Sequence, residues 1–441
     1  MHWARKLTRL LDVTPNSNNA VPSAPTDRYT IISADCHAGG SHAQYREYLT
    51  AEYQEQFDAW RERYRNPYKD LAPGDDRRLR NWDSEMRNSQ QEQDGIVGEV
   101  IFPNTVPPFF PSFVLFAPPP KAEEYELRRV GIQAHNRWLK DFCDEFPERR
   151  AGVGQIFLND IDDAIEDAIW IKENGLRGGV MIPNIPPDVK WVRPVYDPEY
   201  DRLWKVLEEL EIPVNAHGGT GVPDYGPYER SMLFYIADAG FYSQRPFQLF
   251  ALGGIFEKFP RLKFIMTESG CAWLPGLLKN LDGIVKSVRG GGIGELRYTD
   301  DEKKAAKVLP SELWQQNCWM GVSQPSMADA RAMDEIGVDR FMWGSDYPHD
   351  EGTYPHSREA IRSRFYELDP SIKHKILGKN CADLYGFDMD KLTALAAQVG
   401  PTVAELSTPL TAMPENPSQG LARGIKGGGI HISDDMDMAA L

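Results

Sequence analysis

Eight apolar runs of strand length recur along this chain, and stretches of helical periodicity alternate with them. The runs are Thr30–His37, Gly95–Pro103, Ala151–Leu158, Gly178–Pro183, Ile212–His217, Leu262–Glu268, Cys318–Val322 and Phe341–Asp346. Between them lie helical segments such as DIDDAIEDAIWIKENG, which closes on Gly175, and VYDPEYDRLWKVLEELE, with Asp197 as N-cap and Pro198 at the first helical position. Further helices are expected over Pro246–Phe259, from Trp273, and in MADARAMDEIG. A strand that must reach the next strand through a helix pairs with it in parallel, and eight such units predict a closed (β/α)8 TIM barrel.

Metal-ligating residue types fall at the C-terminal ends of those strands, the end where such barrels build their sites. They are Asp35 and His37 in SADCHAGG, His217 in NAHGG, Glu268 in MTESG, and Asp346 with His349 in GSDYPHD. Side chains alternate along a strand, so Asp35 and His37 face one side together while Cys36 points away as a packed thiol. Three carboxylates and up to three imidazoles predict one or two divalent ions. The oxygen-rich set suits manganese or iron better than zinc, although the order of affinities alone does not choose among the three. Glu268 reads either as an acid–base group or as a ligand, Asp346 as a ligand or catalytic carboxylate, and His349 as a ligand, a catalytic group or a loop anchor. His42, His135 and His356 read as structural or surface residues. Arg177, Arg245 and Tyr225 are candidates to meet an anionic substrate but read first as structural or surface pairs.

Three stretches exceed ordinary connections, roughly 38–94, 218–244 and 289–315, and the first two are placed to roof the site. The second is rich in glycine and aromatics and reads as a substrate lid or a packing loop. Flanking the barrel at 29–388 are an N-terminal arm, 1–28, and a Pro-, Gly- and Ser-rich extension, 389–441, expected to pack on the body or on a neighbouring subunit of a homo- or hetero-oligomer.

With 441 residues and 41% hydrophobic content the chain can fill a large core. Its net charge of −16 argues against nucleic acid and anionic membranes, both of which select clustered Lys and Arg. No run approaches the roughly 20 apolar residues of a membrane span. Five cysteines without paired spacing, and no leader-like start, predict a reducing cytoplasm.

On the segments SADCH, VYDPEYDRLW, NAHGG, ESGCAWLPGLL and GSDYPHDEGTYP, from about Tyr29 to Gly386, the chain resembles the amidohydrolase superfamily, and within it the aminocarboxymuconate-semialdehyde decarboxylase-like group. That resemblance implies a metal held by Asp35, His37, His217 and Asp346, and hydrolysis or decarboxylation of a small carboxylate- or amide-bearing molecule. There are two departures. The first strand carries Asp35 where many relatives have histidine, and the sixth ends in Glu268 where decarboxylase relatives place a catalytic histidine. An acid at the first position is known in part of the group, and the chain's long form, Glu268 and the expected inter-subunit tail are similar to a small dinuclear branch, the 2-aminoisobutyrate hydroxylase type. The alternative expectation is therefore an iron or iron–manganese oxygenase acting on a small amino or carboxylic acid, within a hetero-oligomer. A non-enzymatic, metal-bearing partner subunit is a further alternative.

Overall fold

The computed structural model describes residues 27–65, 76–114, 117–305 and 307–426. Eight parallel strands run in sequence order round one sheet: β1 (Ile31–Ala38), β2 (Ile96–Pro103), β3 (Arg150–Gln155), β4 (Gly179–Met181), β5 (Val214–His217), β6 (Phe264–Thr267), β7 (Cys318–Ser323) and β8 (Phe341–Gly344). The ends of the sheet meet. The Asp346 amide donates to the Asp35 carbonyl at 2.9 Å, and the His37 amide to the Tyr347 carbonyl at 2.7 Å. This is the expected (β/α)8 barrel.

Why β1 aims its polar residues inward follows from its register. Ile32 and Ala34 belong to the cluster that fills the barrel interior, with Val97, Val100, Ala151, Val153, Ile265 and Met342. Simple alternation would then turn Asp35 and His37 outward. Between Ser33↔Glu99 and Cys36↔Ile101, however, β1 spends one more residue than β2. That bulge flips the parity, and it delivers Asp35 and His37 to the mouth. Cys36 is a buried free thiol 3.5 Å from the Ser345 hydroxyl, as are the other four cysteines buried and free.

The helix expected over Pro246–Phe259 begins earlier, at Ser231, and runs to Leu252 with Pro246 inside it. The glycine- and aromatic-rich stretch had masked it. Asp197 caps its helix as expected, its carboxylate accepting from the Glu199 amide, and the turn opens as a 3-10 helix at Pro198. The extension beyond 388 packs, as far as 421, against its own barrel. Leu392 and Ala396 on helix Met389–Val399 join the interior cluster at the end of the barrel opposite the site. The Ser418 hydroxyl donates to the Thr353 carbonyl and the Gly420 amide to the Gly352 carbonyl. Residues 1–26 and 427–441, which hold most of the N-terminal arm and the end of the tail, lie outside the described residues. No helix among the described residues is long and apolar enough to cross a membrane.

The loop after β8 rests on one buried carboxylate. Asp94, 3% exposed, accepts from the Ser357 amide and hydroxyl, and burial pushes its pKa up to about 7. The folded chain thus keeps a proton that the unfolded chain releases near pH 4, so stability falls as pH rises from about 4 to about 7. Asp94→Asn removes that penalty. In denaturant titrations it should match the wild type near pH 4 and exceed it by roughly 2–4 kcal/mol at pH 8. An advantage independent of pH would contradict this account.

Candidate metal centre

Each donor arrives from its own strand end. Asp35 and His37 come from β1, His217 from the last residue of β5, Glu268 from just past β6, and Asp346 with His349 from the loop after β8. Asp35, His37 and Asp346 are fully buried and His217 is 2% exposed, while the Glu268 carboxylate keeps a quarter of its surface.

The contacts converge. His37 Nε2 lies 3.3 Å from Asp35 Oδ1 and 3.4 Å from Asp346 Oδ1. His217 Nε2 lies 3.6 Å from Asp35 Oδ1 and 3.5 Å from Glu268 Oε2. One ligand atom from each of Asp35, His37, His217 and Glu268 falls within 4.8 Å of the rest, and so do those of a second group, Glu268, Asp346, His349 and Glu351.

Three atoms aimed at the common centre, Asp35 Oδ1, His37 Nε2 and His217 Nε2, are buried without a hydrogen-bond partner. Leaving such atoms unpaired costs about 1–3 kcal/mol each, more where charge is involved. The other nitrogen of each ring is fixed, His37 Nδ1 on the Pro103 carbonyl at 3.2 Å and His217 Nδ1 on the Gly218 carbonyl at 3.1 Å. With Nδ1 donating, each Nε2 presents a lone pair to the centre, the usual arrangement of a ligating histidine. The donors present therefore fit a divalent ion.

Electrostatics agree. Burial would push the His37 pKa down, but the Asp35 and Asp346 carboxylates outweigh it and raise the value to about 10. Asp35 and Asp346 are held below the usual carboxylate range despite their burial, Asp35 chiefly by His37 and Asp346 chiefly by His349. Glu268 is driven the other way, well above its ordinary value, by burial and then by the facing charges of Asp346 and Asp35. Without a cation the cluster thus holds protons in a metal's place.

A second layer holds the carboxylates. Ser323, the last residue of β7, donates to Asp35 Oδ2, and Gln324 Nε2 donates to Asp346 Oδ2 at 2.5 Å. Asn104 at the end of β2 meets His349 Nε2 at 2.9 Å, while His349 Nδ1 sits 2.7 Å from Asp346 Oδ1. Beneath His37, Arg87 donates to its carbonyl at 2.7 Å and pairs with the buried Glu99. Glu268, Gln324 and Asp346 have φ of 53°, 46° and 60°. These left-handed conformations cost a non-glycine residue of order 1–3 kcal/mol each and gather at functional sites. Gly218 explains the HGG motif, since a Cβ there would stand 2.0 Å from the Glu268 carbonyl oxygen.

Beside His217 opens a cavity of about 580 Å³ lined by the ends of β3, β4 and β5 and the segments that follow β2, β3, β4 and β5. Thr220, Tyr225 and Tyr235, from the stretch read as a substrate lid or a packing loop, form one wall. Tyr225 also bonds Asp238, Arg245 bonds Gln248 at 2.7 Å, and Arg177 lies over the Phe387 ring, 4.2 Å from its centroid. His135 bonds the Tyr45 hydroxyl, His42 the Val106 carbonyl, and His356 the Ser418 amide.

The amidohydrolase family profile matches residues 87–387, and the chain belongs to this family, a class that includes metal-dependent hydrolases and carboxy-lyases. Among curated proteins it is 28% identical over 187 residues to decarboxylase orsB of Emericella nidulans, a match covering 39% of this chain and half the length of that relative. An amidohydrolase from Mycobacterium avium subsp. paratuberculosis K-10 superposes with a TM-score of 0.59 at 18% identity, over 83% of this chain and 100% of that one. A dihydroxybenzoic acid decarboxylase from Polaromonas sp. JS666, solved with manganese and the inhibitor 2-nitroresorcinol, gives 0.55 at 15%, over 81% and 96%. At these identities the solved structures speak for the fold.

Proposed function

We propose that the protein is a metal-dependent carboxy-lyase that removes carbon dioxide from a small aromatic or conjugated carboxylic acid. The observation that carries the reading is the trio of partnerless buried atoms, on Asp35, His37 and His217, converging beside a cavity of small-molecule size. Decarboxylation is preferred to hydrolysis because the curated relative and the manganese-bearing structure are both decarboxylases.

Asp35, His37, His217 and Asp346 would hold one divalent ion, manganese or iron by the balance of oxygen and nitrogen donors. When bound, such an ion anchors the substrate carboxylate and stabilises negative charge as it develops. The chain's own residues do the rest. The carbon–carboxylate bond breaks, its electron pair stays on the substrate carbon, and a proton must replace the departing carbon dioxide. Glu268 is the member of the cluster with exposed surface, and its environment favours the protonated form, so it supplies that proton. A bound cation offsets part of that bias. His349 orients Asp346, and Ser323 and Gln324 fix the two carboxylates.

Metal removal tests the reading. Chelator-treated protein should release no carbon dioxide from a panel of hydroxybenzoates, and manganese should restore release at about one equivalent per chain. Amide or ester cleavage without carbon dioxide would move the protein to hydrolysis. Two equivalents including iron, with oxygen consumed, would place an ion in the group of Glu268, Asp346, His349 and Glu351 and select the oxygenase alternative.

A further inference from the structure

We propose that the cavity beside His217 has a second recognition point, Arg128 with Gln155, which binds an acidic group at the end of the substrate away from the cluster. This rests on the reading just given and names the substrate class more closely, as a two-ended planar acid.

Arg128 sits on helix Ala122–Asp144 and is 2% exposed. Its guanidinium lies over the Phe110 ring, 4.4 Å from the centroid, and Nη2 donates to the Pro118 carbonyl at 2.8 Å. Nε is buried with no partner. The nearest carboxylate is Glu124 at 3.8 Å, half in solvent. Arg149 and Arg150 also hold buried nitrogens without a partner, but each has a carboxylate within 3.6 Å, Glu92 for Arg149 and Glu99 and Glu145 for Arg150. Arg87 is paired with Glu99, and Arg364 donates to the Pro325, Ala360, Gly420 and Leu421 carbonyls. Burial draws the Arg128 pKa down to about 10, so the cation carries a desolvation cost that its present neighbours do not offset.

Gln155 supplies the complementary observation. It ends β3, two residues beyond Val153 and four beyond Ala151, both of which face the barrel interior. It therefore points into the mouth. Its backbone is pinned by Asn136, whose side chain accepts from the Gln155 amide at 2.8 Å and donates to its carbonyl at 2.9 Å. Yet Oε1 and Nε2 of its own side chain are buried without a partner. A structural glutamine uses its amide, whereas this one is held in place with the amide unspent.

Arg128, Gln155 and His217 line one cavity, with Phe110, Ile132, Phe157 and Met181 also in its wall. Arg128 Nε–H and Gln155 Nε2–H donate, and Gln155 Oε1 accepts. A carboxylate flanked by a hydroxyl, or a second carboxyl group, answers all three. The apolar wall suits a planar spacer. An acid with one polar end leaves these groups unpaired, and a site built to hydrogen-bond discriminates against a ligand that cannot.

The test is calorimetry on manganese-loaded protein, comparing benzoate with benzene-1,3-dicarboxylate, benzene-1,4-dicarboxylate and biphenyl-4,4′-dicarboxylate. At least one diacid should bind about tenfold or more tightly than benzoate. Arg128→Met should erase that advantage while leaving benzoate affinity and metal content unchanged. Gln155→Leu keeps the test decisive if the arginine variant does not fold. Replacing a partnerless buried amide should raise the melting temperature and weaken the diacid several-fold. No diacid advantage in the wild type, or an advantage that survives either substitution, overturns the proposal. Benzoate binding equally well to metal-free protein would instead sink the metal reading, and it would leave the diacid ratio free to be judged separately.

Discussion

His217→Ala should yield a folded barrel that neither retains the metal nor turns over substrate. The ring ends β5 fully within the cluster, and its Nε2 is one of the three atoms whose burial is unexplained without a cation. Its removal breaks the contacts through which His217 Nε2 reaches both Asp35 and Glu268. If the ion supplies several kcal/mol of charge stabilisation, its loss at 1.36 kcal/mol per tenfold costs about a thousandfold or more in turnover. Far-UV circular dichroism should stay that of the wild type, because the strand is held on both sides by β4 and β6 whatever residue ends it. Elemental analysis and turnover should fall together. A variant with full metal content and normal turnover would show that the cluster is a satisfied polar plug and not the reaction centre.

The barrel could be read from the sequence because its signal is periodic and repeated. Each strand was found within a few residues, and the donors at four strand ends stood out because aspartate, glutamate and histidine rarely close an apolar run without reason. The part of the helix from Ser231 that precedes Pro246 was missed because its glycine- and aromatic-rich surroundings read locally as loop, whereas helix formation there is decided by what the segment packs against. The groups that hold the donors were missed for another reason. Asn104, Ser323 and Gln324, which hold the donors, and Gln155 in the cavity wall also stand at or just past strand ends, yet amide and hydroxyl side chains are common at such positions and carry no metal signature. Asking of every polar residue at a strand terminus what it meets across the mouth would have raised all four. The bulge in β1 and the left-handed backbone at Glu268 and Asp346 have no local sequence mark, since both are imposed by neighbouring strands.

Those imposed features bear on mechanism. A bulge turns Asp35 and His37 inward, a glycine at 218 admits the Glu268 backbone, and strained φ angles at Glu268 and Asp346 set their carboxylates against each other. The fold expends stability to crowd negative charge into a buried space. Such crowding is sustained only if a cation neutralises it or if one carboxyl keeps its proton. On the proposed reading Asp35 and Asp346, both fully buried and both facing His37, would hold the cation. Glu268, the partly exposed member, would keep the proton.

Glu268→Gln separates these assignments, because the amide keeps the shape of the side chain and abolishes its proton transfer. The ion content should remain unchanged, since Asp35, His37, His217 and Asp346 are untouched. The turnover number should drop by about 10²–10⁴-fold, the usual contribution of a positioned general acid, with a smaller change in KM. The pH profile gives an independent reading of the same group. An acid that must carry its proton loses activity as pH rises through its folded pKa, and burial with the facing carboxylates sets that value above the ordinary range. The wild type should therefore show a descending limb on the alkaline side of the ordinary glutamate range, and the residual activity of the variant should lack it. Loss of one metal equivalent would assign Glu268 to coordination instead. The group it shares with Asp346, His349 and Glu351 would then be a second ion site, and the proton would have to come from elsewhere in the cavity.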